Sequence, residues 1–578
     1  MGRLISQRYV VEGELVADTP VHVGAAFGQL VTDLPLARDG ADHFYLPGTS
    51  LAGPIRHWWS RRWADERTFF GRTPEGGDGE EEGHASFVVV EDAPVRERAV
   101  FETRDGVGID RRTGGAAEGI KYDREVLPRG TRFTFRMAID EWQGQASAVP
   151  KPPSPQQDAR APSQPPDREA TRHRLGALIL ALEAGHIRFG AAKTRGLGRL
   201  KLSGTRVGEE RIGTRAGVLA LLKQDAGQQS PSIRDDLVKA ADPAERSDAV
   251  EITVRWRPAL PVMNKSDAEG VSIDALPLVA GNPDQLQPVI TGASVKGALR
   301  AHAERICRTL ARMRPDAPSC AVAGSERVRA DFLGDVAECD LVEALFGAAG
   351  KGREDDEKYK DVPRERRIPG LGALSVDDCL IDKPISRDAW RDLLTAVYRK
   401  DQEEKTGAVR RWLNQSAPSW KDFRPATHVA IDRWTGGAAE ALLFNRLEPA
   451  ADGTHTFRLW LDPGRVARRK PERGEVPESA LVQFRRAAFA LLLITLRELA
   501  LGRVPIGYGT TRGLGSIEVD QIRFGGIMIG EHEGVAAGGE EITIAPQDFA
   551  DGARMKRFSK IDEAWRAYWR DRQQDVER

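Results

Sequence analysis

Residues 107–124 read VGIDRRTGGAAEGIKYDR and residues 429–446 read VAIDRWTGGAAEALLFNR, with eleven of the eighteen positions identical. A match this dense at so long a separation marks an internal duplication. Two more pairs recur in the same order around it. Upstream, 48–56 (GTSLAGPIR) pairs with 292–300 (GASVKGALR); downstream, 190–198 (GAAKTRGLG) pairs with 507–515 (GYGTTRGLG). The offsets are 244, 322 and 317 residues, so the second copy carries 78 extra residues (322 minus 244) between its first two motifs. The chain therefore reads as one module written twice, with an insertion in the second.

Each copy predicts the same succession of elements. An alternating strand opens it (9–16; 250–256), and a glycine-rich turn then feeds a helix (50–63; 294–310) for which Ser50 and Ser294 are the expected N-caps. The 18-residue motif leads into a second alternating strand (131–139; 454–461). A second helix (170–184; 480–501), the glycine-rich loop and a closing strand (198–202; 515–519) complete the copy. Strand, helix, strands, helix, strand is the order of an α+β, ferredoxin-like fold with both helices on one face of the sheet. The expected divisions are a first module over 1–203, a linker over 204–247, a second module over 248–525 with its insertion at about 303–425, and a tail over 526–578. The Pro-, Gln- and Ser-rich stretch 144–168 reads as a disordered loop, and the aromatic, charged segment 558–572 as a docking helix.

Composition narrows the function classes. Charged residues make up 30% of the 578 positions but leave a net charge of −1, so nucleic-acid binding has to rest on local basic patches. The longest apolar run, 487–494 (AAFALLLI), is too short to span a bilayer and suits the buried face of a helix, so no membrane partner is expected. The opening residues pass straight into a strand pattern without a signal-peptide core, and there are four cysteines, Cys307, Cys320, Cys339 and Cys379. Both features predict a reducing, cytoplasmic location. No Walker-type loop and no Ser-His-Asp order is present.

The paired turn and glycine-rich loop resemble the RAMP superfamily of repeat-associated CRISPR proteins, and the IDRxTGGAAE segment resembles the backbone subunit of type III effector complexes. In this chain the resemblance is to two such subunits fused, as in III-D-like systems, with the linker and tail left outside it. It implies two tandem ferredoxin-like modules, each with a projecting thumb hairpin, and it implies guide RNA, target single-stranded RNA and other CRISPR effector subunits as partners. The residue chemistry agrees, since glycines admit backbone close to a phosphate chain and basic side chains beside them supply charge. The RNA-binding candidates in the first copy are Gly48, Ser50, Arg56, Arg111, Thr113, Lys193 and Arg195. Those in the second are Ser294, Lys296, Arg300, Arg433, Thr435 and Arg512.

An acidic loop precedes each first turn: LVTDLPLA (30–37) and SIDALPLVA (272–280). The resemblance places the RNA-cutting aspartate of the family at Asp33 and Asp274, although Asp267 competes in the longer second loop. A carboxylate there could orient a nucleophile or hold a divalent cation, Mg²⁺ or Mn²⁺, beside a phosphate. His302, Cys307, Cys320 and Cys339 offer four ligands for one structural zinc, with Cys339 followed by DLVEALFG as in zinc-binding family members. Two other readings stand beside target cleavage: a scaffold that binds RNA without cutting it, and a guide-processing endoribonuclease working through histidine. His57 is the histidine nearest a repeated motif in the first copy, and its register partner is Ala301, which argues against duplicated processing sites.

Overall fold

The computed structural model describes residues 5–25, 32–72, 84–97, 100–111, 115–142, 168–222, 231–241, 249–266, 273–281, 285–310, 340–348, 370–398, 423–450, 452–467, 477–525 and 541–577. The first module runs β1 (Ile5–Ala17), α1 (Gly48–Ser60), β2 (Val88–Val90), the hairpin of β3 (Glu102–Ile109) and β4 (Ala116–Val126), then β5 (Arg132–Trp142). It continues with α2 (Arg168–Ala184), β6 (Arg195–Gly196), β7 (Leu200–Glu210) and α3 (Pro231–Ala240). The second module repeats this with β8 (Val250–Pro258), α4 (Gly292–Leu310), α5 (Asp340–Phe346), β9 (Leu374–Asp377), the hairpin of β10 (Phe423–Ile431) and β11 (Ala438–Pro449), and β12 (His455–Leu461). It closes with α6 (Glu478–Ala500), β13 (Ile517–Gly525), β14 (Ile542–Ile544) and α7 (Ser559–Glu577).

The first sheet has the order β2-β5-β1-β7 and the second β14-β13-β8-β12-β9-β6. With hairpins and additions set aside, both read second, third, first, fourth strand, so the fold is two tandem ferredoxin-like modules. Alternation fixes the registers. Tyr9, Val11 and Leu15 of β1 lie opposite Ile139, Met137 and Phe133 of β5, and all six are buried. Val250, Ile252, Val254 and Trp256 face Leu461, Leu459, Phe457 and His455 in the same way, with Trp256 stacked on Phe457 at 4.7 Å. Each fully buried large apolar side chain in these rows contributes roughly 1.5–3 kcal/mol.

In each module the second core strand escaped the sequence reading. β2 and β9, of three and four residues, are too short to show a period, and β9 lies inside what read as an insertion. The expected linker also contributes to the first module: β7 runs on to Glu210, and α3 packs on α2 through the buried Leu237. α7 takes the corresponding place on α6, burying Ile561 and Trp569, with Phe558 buried just before it, and bonding Tyr568 Oη to Asp340. α6 is long and apolar enough to cross a membrane by length and composition, and its apolar residues fill the second core. The stretch 144–167 lies outside the described residues.

Candidate functional site

The duplicated motif forms a hairpin in each module. β3 and β4 pair from Glu102 with Val126 to Ile109 with Ala116, and β10 and β11 from Phe423 with Pro449 to Ile431 with Ala438. The tips match as well, with Asp110 N–H donating to Gly115 O at 2.9 Å and Asp432 N–H to Gly437 O at 2.8 Å. At the second tip the Asp432 carboxylate accepts from Trp434 N–H (2.7 Å) and Thr435 N–H (3.2 Å), so Thr435 is part of a tight side-chain-capped turn. Arg433 and Trp434 are exposed there, while Thr113 lies outside the described residues.

Both acidic loops dock on a hairpin base. Asp33 N–H donates to Asp123 Oδ1 at 2.6 Å, and Asp123 N–H donates to Asp33 Oδ2 at 3.0 Å. In the second module Asn445 N–H donates to Asp274 Oδ2 at 2.7 Å, and Asp274 N–H donates back to Asn445 O at 2.9 Å. Asp123 and Asn445 hold the same position of the duplicated motif. The next residues form matching parallel bridges, Leu34 with Arg124 and Ala275 with Arg446. The structure thus makes Asp33 and Asp274 equivalent, both exposed; Asp267 lies outside the described residues.

The glycine-rich loop reaches the adjacent residue of the same hairpin base. Arg195 is exposed and donates to Tyr122 Oη at 3.0 Å, and Arg512 lies over the rings of Phe444 (5.7 Å) and Tyr508 (5.5 Å). Tyr122 and Phe444 are again register partners, each one residue before the docked Asp123 or Asn445. In each module, then, three motifs distant in sequence share one hairpin base: an exposed carboxylate and a loop arginine attach to consecutive residues of it, one of them aromatic. Beneath them Arg124 and Arg446 keep buried N–H groups without hydrogen-bond partners among the described residues. Burial, together with Arg195, holds the Arg124 guanidinium below its ordinary value. The loop glycines make these turns possible: Gly190 and Gly507 have φ of +75° and +93°, with the His22 and Met263 carbonyl oxygens 2.2 and 2.4 Å from where a Cβ would sit.

The first turn has a structural duty that differs from the expected one. The helices start at Gly48 and Gly292, so Ser50 and Ser294 lie inside the first turn and are not N-caps. Asp92 Oδ1 accepts from Gly48 N–H at 2.7 Å and Asp378 Oδ1 from Gly292 N–H at 2.8 Å, each aspartate following the short second core strand. Thr291 Oγ1 adds a cap on Ser294 N–H at 3.2 Å. A Cβ at Gly48 would lie 2.2 Å from Val90 O, and one at Gly292 2.1 Å from Val376 O. These glycines seat a helix on a strand, and the aspartates cap the helix N-termini.

Several basic candidates are committed to the protein. Arg56 pairs with Glu66 and donates to Gly71 O at 3.2 Å. Lys296 is buried with its ammonium on Leu374 O at 2.7 Å, and Arg300 holds Glu304 (2.7 Å) and Gly347 O (2.7 Å). Arg111 reaches Glu304 of the second module at 2.5 Å. Through these contacts the four support the fold and the junction.

The first glycine-rich loop also forms part of that junction. β6 pairs in parallel with β9, Arg195 beside Val376 and Gly196 beside Asp377. Asp377 receives Arg188 at 2.5 Å, Arg199 at 3.4 Å and Trp460 Nε1 at 3.0 Å; burial alone would raise its carboxyl, but these donors hold it below the usual carboxylate range. Arg104 pairs with Asp378, and Arg61 with Asp462. The modules are therefore locked in one relative placement by buried, hydrogen-bonded ion pairs.

Of the proposed zinc ligands, Cys320 and Cys339 lie outside the described residues. His302 and Cys307 sit five positions apart on α4, about 140° round a helix, and do not converge on one ion. His302 instead faces Arg305 (2.9 Å) and Glu498 (3.8 Å), and Cys307 is buried in the second core. Among the described residues no three His, Cys, Asp or Glu side chains gather as a metal cage. His57 Nε2 lies 3.4 Å from Arg465, at the module junction.

A family model described as the RAMP superfamily matches residues 14–201 and 277–518, one stretch in each module. No curated protein shows a significant match to the chain.

Proposed function

The chain belongs to the RAMP superfamily, which includes CRISPR-associated RNA-binding proteins, and from that premise we propose that it is a fused double backbone subunit of a type III, III-D-like, effector complex. In this reading it binds guide RNA and cleaves complementary target RNA at two places, one per module, with Asp33 and Asp274 at the cuts. The observation that carries the reading is the shared register: each aspartate is hydrogen-bonded to the same position of a duplicated hairpin, next to the aromatic residue that holds the loop arginine.

Arg195 and Arg512 would hold the target phosphate, and Arg124 adds positive potential behind the first of them, whereas Arg446 is already paired with Glu448 (2.7 Å). The free oxygen of each aspartate would orient the attacking hydroxyl. Gly53 and Gly297 suit a polynucleotide lying along α1 and α4: both are exposed, a Cβ at either would meet nothing within 4 Å, and a bare helix backbone admits close approach. For a divalent cation, Asp33 with Asp123 fits the habit of Mg²⁺ to take one or two carboxylates plus phosphate oxygens, and Asp274 with Asn445 offers one carboxylate and an amide. Such an ion would offset charge developing on the scissile phosphate.

The test is incubation of the assembled complex with end-labelled complementary RNA and Mg²⁺. Asp33→Ala and Asp274→Ala should each remove one product band, and the double variant should abolish cutting with guide binding retained. Undiminished cutting in the double variant overturns the assignment; a wild-type complex that binds target without cutting it would leave the scaffold role.

A further inference from the structure

The junction inside the chain docks one module on the next, and each outer module face carries one half of the same arrangement. At the junction β6 of the first module pairs with β9 of the second, and a Cβ at Gly196 would lie 2.2 Å from Asp378 Oδ1 and 3.2 Å from Gly292 N. The side chains of Asp377 and Asp378 are only 6% and 5% exposed there. Arg188 and Arg199 neutralise the first, Arg199 while it also holds Asp18, and Arg104 neutralises the second. The first module has the same strand and helix seat, but β2 is the edge of its sheet, with no strand on its outer side among the described residues and Val89 47% exposed. Counted from the matching caps Asp92 and Asp378, the partners of Asp377 and Asp378 are Glu91 and Asp92, and both are exposed. Glu91 pairs with Arg136 of its own module, and among the described residues no cation pairs with Asp92.

We infer that the outer edge of β2, with Glu91 and Asp92, is the docking site for the glycine-rich loop of a RAMP module on a different chain, one that brings arginines to these carboxylates. The second loop of this chain is the wrong occupant. Ala259 and Leu260 N–H donate to Ser516 O (3.0 and 3.2 Å) as Asp18 and Thr19 N–H donate to Arg199 O (2.9 and 3.2 Å), and Ala426 pairs with Arg446 as Arg104 pairs with Arg124. Ser516 and Ala426 therefore stand where the first module has Arg199 and Arg104, and Pro505 stands where it has Arg188. A second copy docked on β2 would bury Asp92 with no arginine brought to it, and desolvating a carboxylate without a counter-charge opposes association. The loop keeps the shape: Gly513 has a φ of +79° against +90° at Gly196, and a Cβ on it would meet nothing within 4 Å. Shape is thus repeated and charge is not, which selects a non-identical partner for an otherwise open edge and stops the chain from adding to itself in a head-to-tail row. This docking takes from the proposed function only the presence of partner modules and does not involve Asp33 or Asp274.

Sedimentation velocity of the full chain without RNA tests the docking. The wild-type chain should stay monomeric over its soluble concentration range. Ala426→Arg combined with Ser516→Arg gives the second module the arginines of the first and makes the chain its own fitting partner. Self-association should then rise about tenfold or more, weaken as KCl is raised and disappear when Glu91→Lys is added. Each arginine is also installed singly and thermal midpoints are taken for all variants, so that a misfolded double variant leaves the singles to decide. Wild-type self-association that Glu91→Lys abolishes overturns the inference in favour of a second copy, and folded arginine variants that remain monomeric overturn it outright. Target cleavage is read separately in the complex, so failure of the Asp33 and Asp274 assignment leaves this result unchanged.

Discussion

Asp33 and Asp123 hold each other by reciprocal hydrogen bonds, each backbone N–H donating to the other's carboxylate, at 2.6 and 3.0 Å. The second module keeps the bond onto Asp274 but has the Asn445 carbonyl where the first has a carboxylate. Asp123→Ala should therefore loosen the first acidic loop, lowering cleavage at the first site by about tenfold with little change at the second. Asn445→Ala keeps both backbone bonds and should leave Asp274 positioned, so any loss at the second site would report the amide offered to the cation. Band-resolved single-turnover cleavage separates the two, and equal losses at both sites would count against the docking role.

The helix seats predict unequal glycine effects. Gly48→Ala drives a Cβ against Val90 O and should destabilise the first module by several kcal/mol, as overpacking against backbone does. Gly53→Ala meets open space and should stabilise the helix by about 0.5–1 kcal/mol while weakening guide-RNA binding. Denaturant midpoints and filter binding check the pair.

Asp378 caps Gly292 and neutralises the buried Arg104, whereas Asp92 shows the cap on Gly48 as its described bond. Asp378→Ala should cost about 3 kcal/mol because it leaves the buried Arg104 only its longer pairing with Glu102 (3.4 Å), and Asp92→Ala about 1 kcal/mol. Chemical denaturation of the two variants should show that gap; equal losses would mean that Glu102 alone suffices to neutralise Arg104.

His22, His302 and His455 are buried, and burial is the main cause that holds each imidazole below its ordinary value. An unfolded histidine takes a proton near pH 6.5 and the folded ones resist it, so stability should fall as pH drops below about 6.5. The slope is at most about 1.4 kcal/mol per pH unit for each group. Thermal midpoints at pH 7.5 and 5.5 measure the fall, and His22→Gln, which keeps a donor for Glu125 O, should reduce it.

Much of this architecture was legible in the chain. The alternation of Tyr9, Val11 and Leu15, and of Val250, Ile252 and Val254, reports burial on one face of a strand, and burial is a local, periodic property. β2 and β9 were invisible because three or four residues carry no period, and with them went Asp92 and Asp378, which look like ordinary turn residues until a helix N-terminus is placed on them. Arg111, Lys296 and Arg300 sit beside glycines in repeated motifs, where the sequence cannot show whether a cation faces solvent or a carboxylate two hundred residues away.

By itself the sequence determined the duplication, the two alternating sheets and the pair of aspartates preceding each first turn, all of which are written as repeats or periods. Tertiary structure alone decided that Asp274 stands against Asn445 as Asp33 stands against Asp123. It also decided which arginines are spent on the junction and which sheet edge stays open. Those outcomes rest on single side chains meeting across long sequence separations, and the energy of such a meeting depends on distance, burial and partner, none of which a linear pattern records.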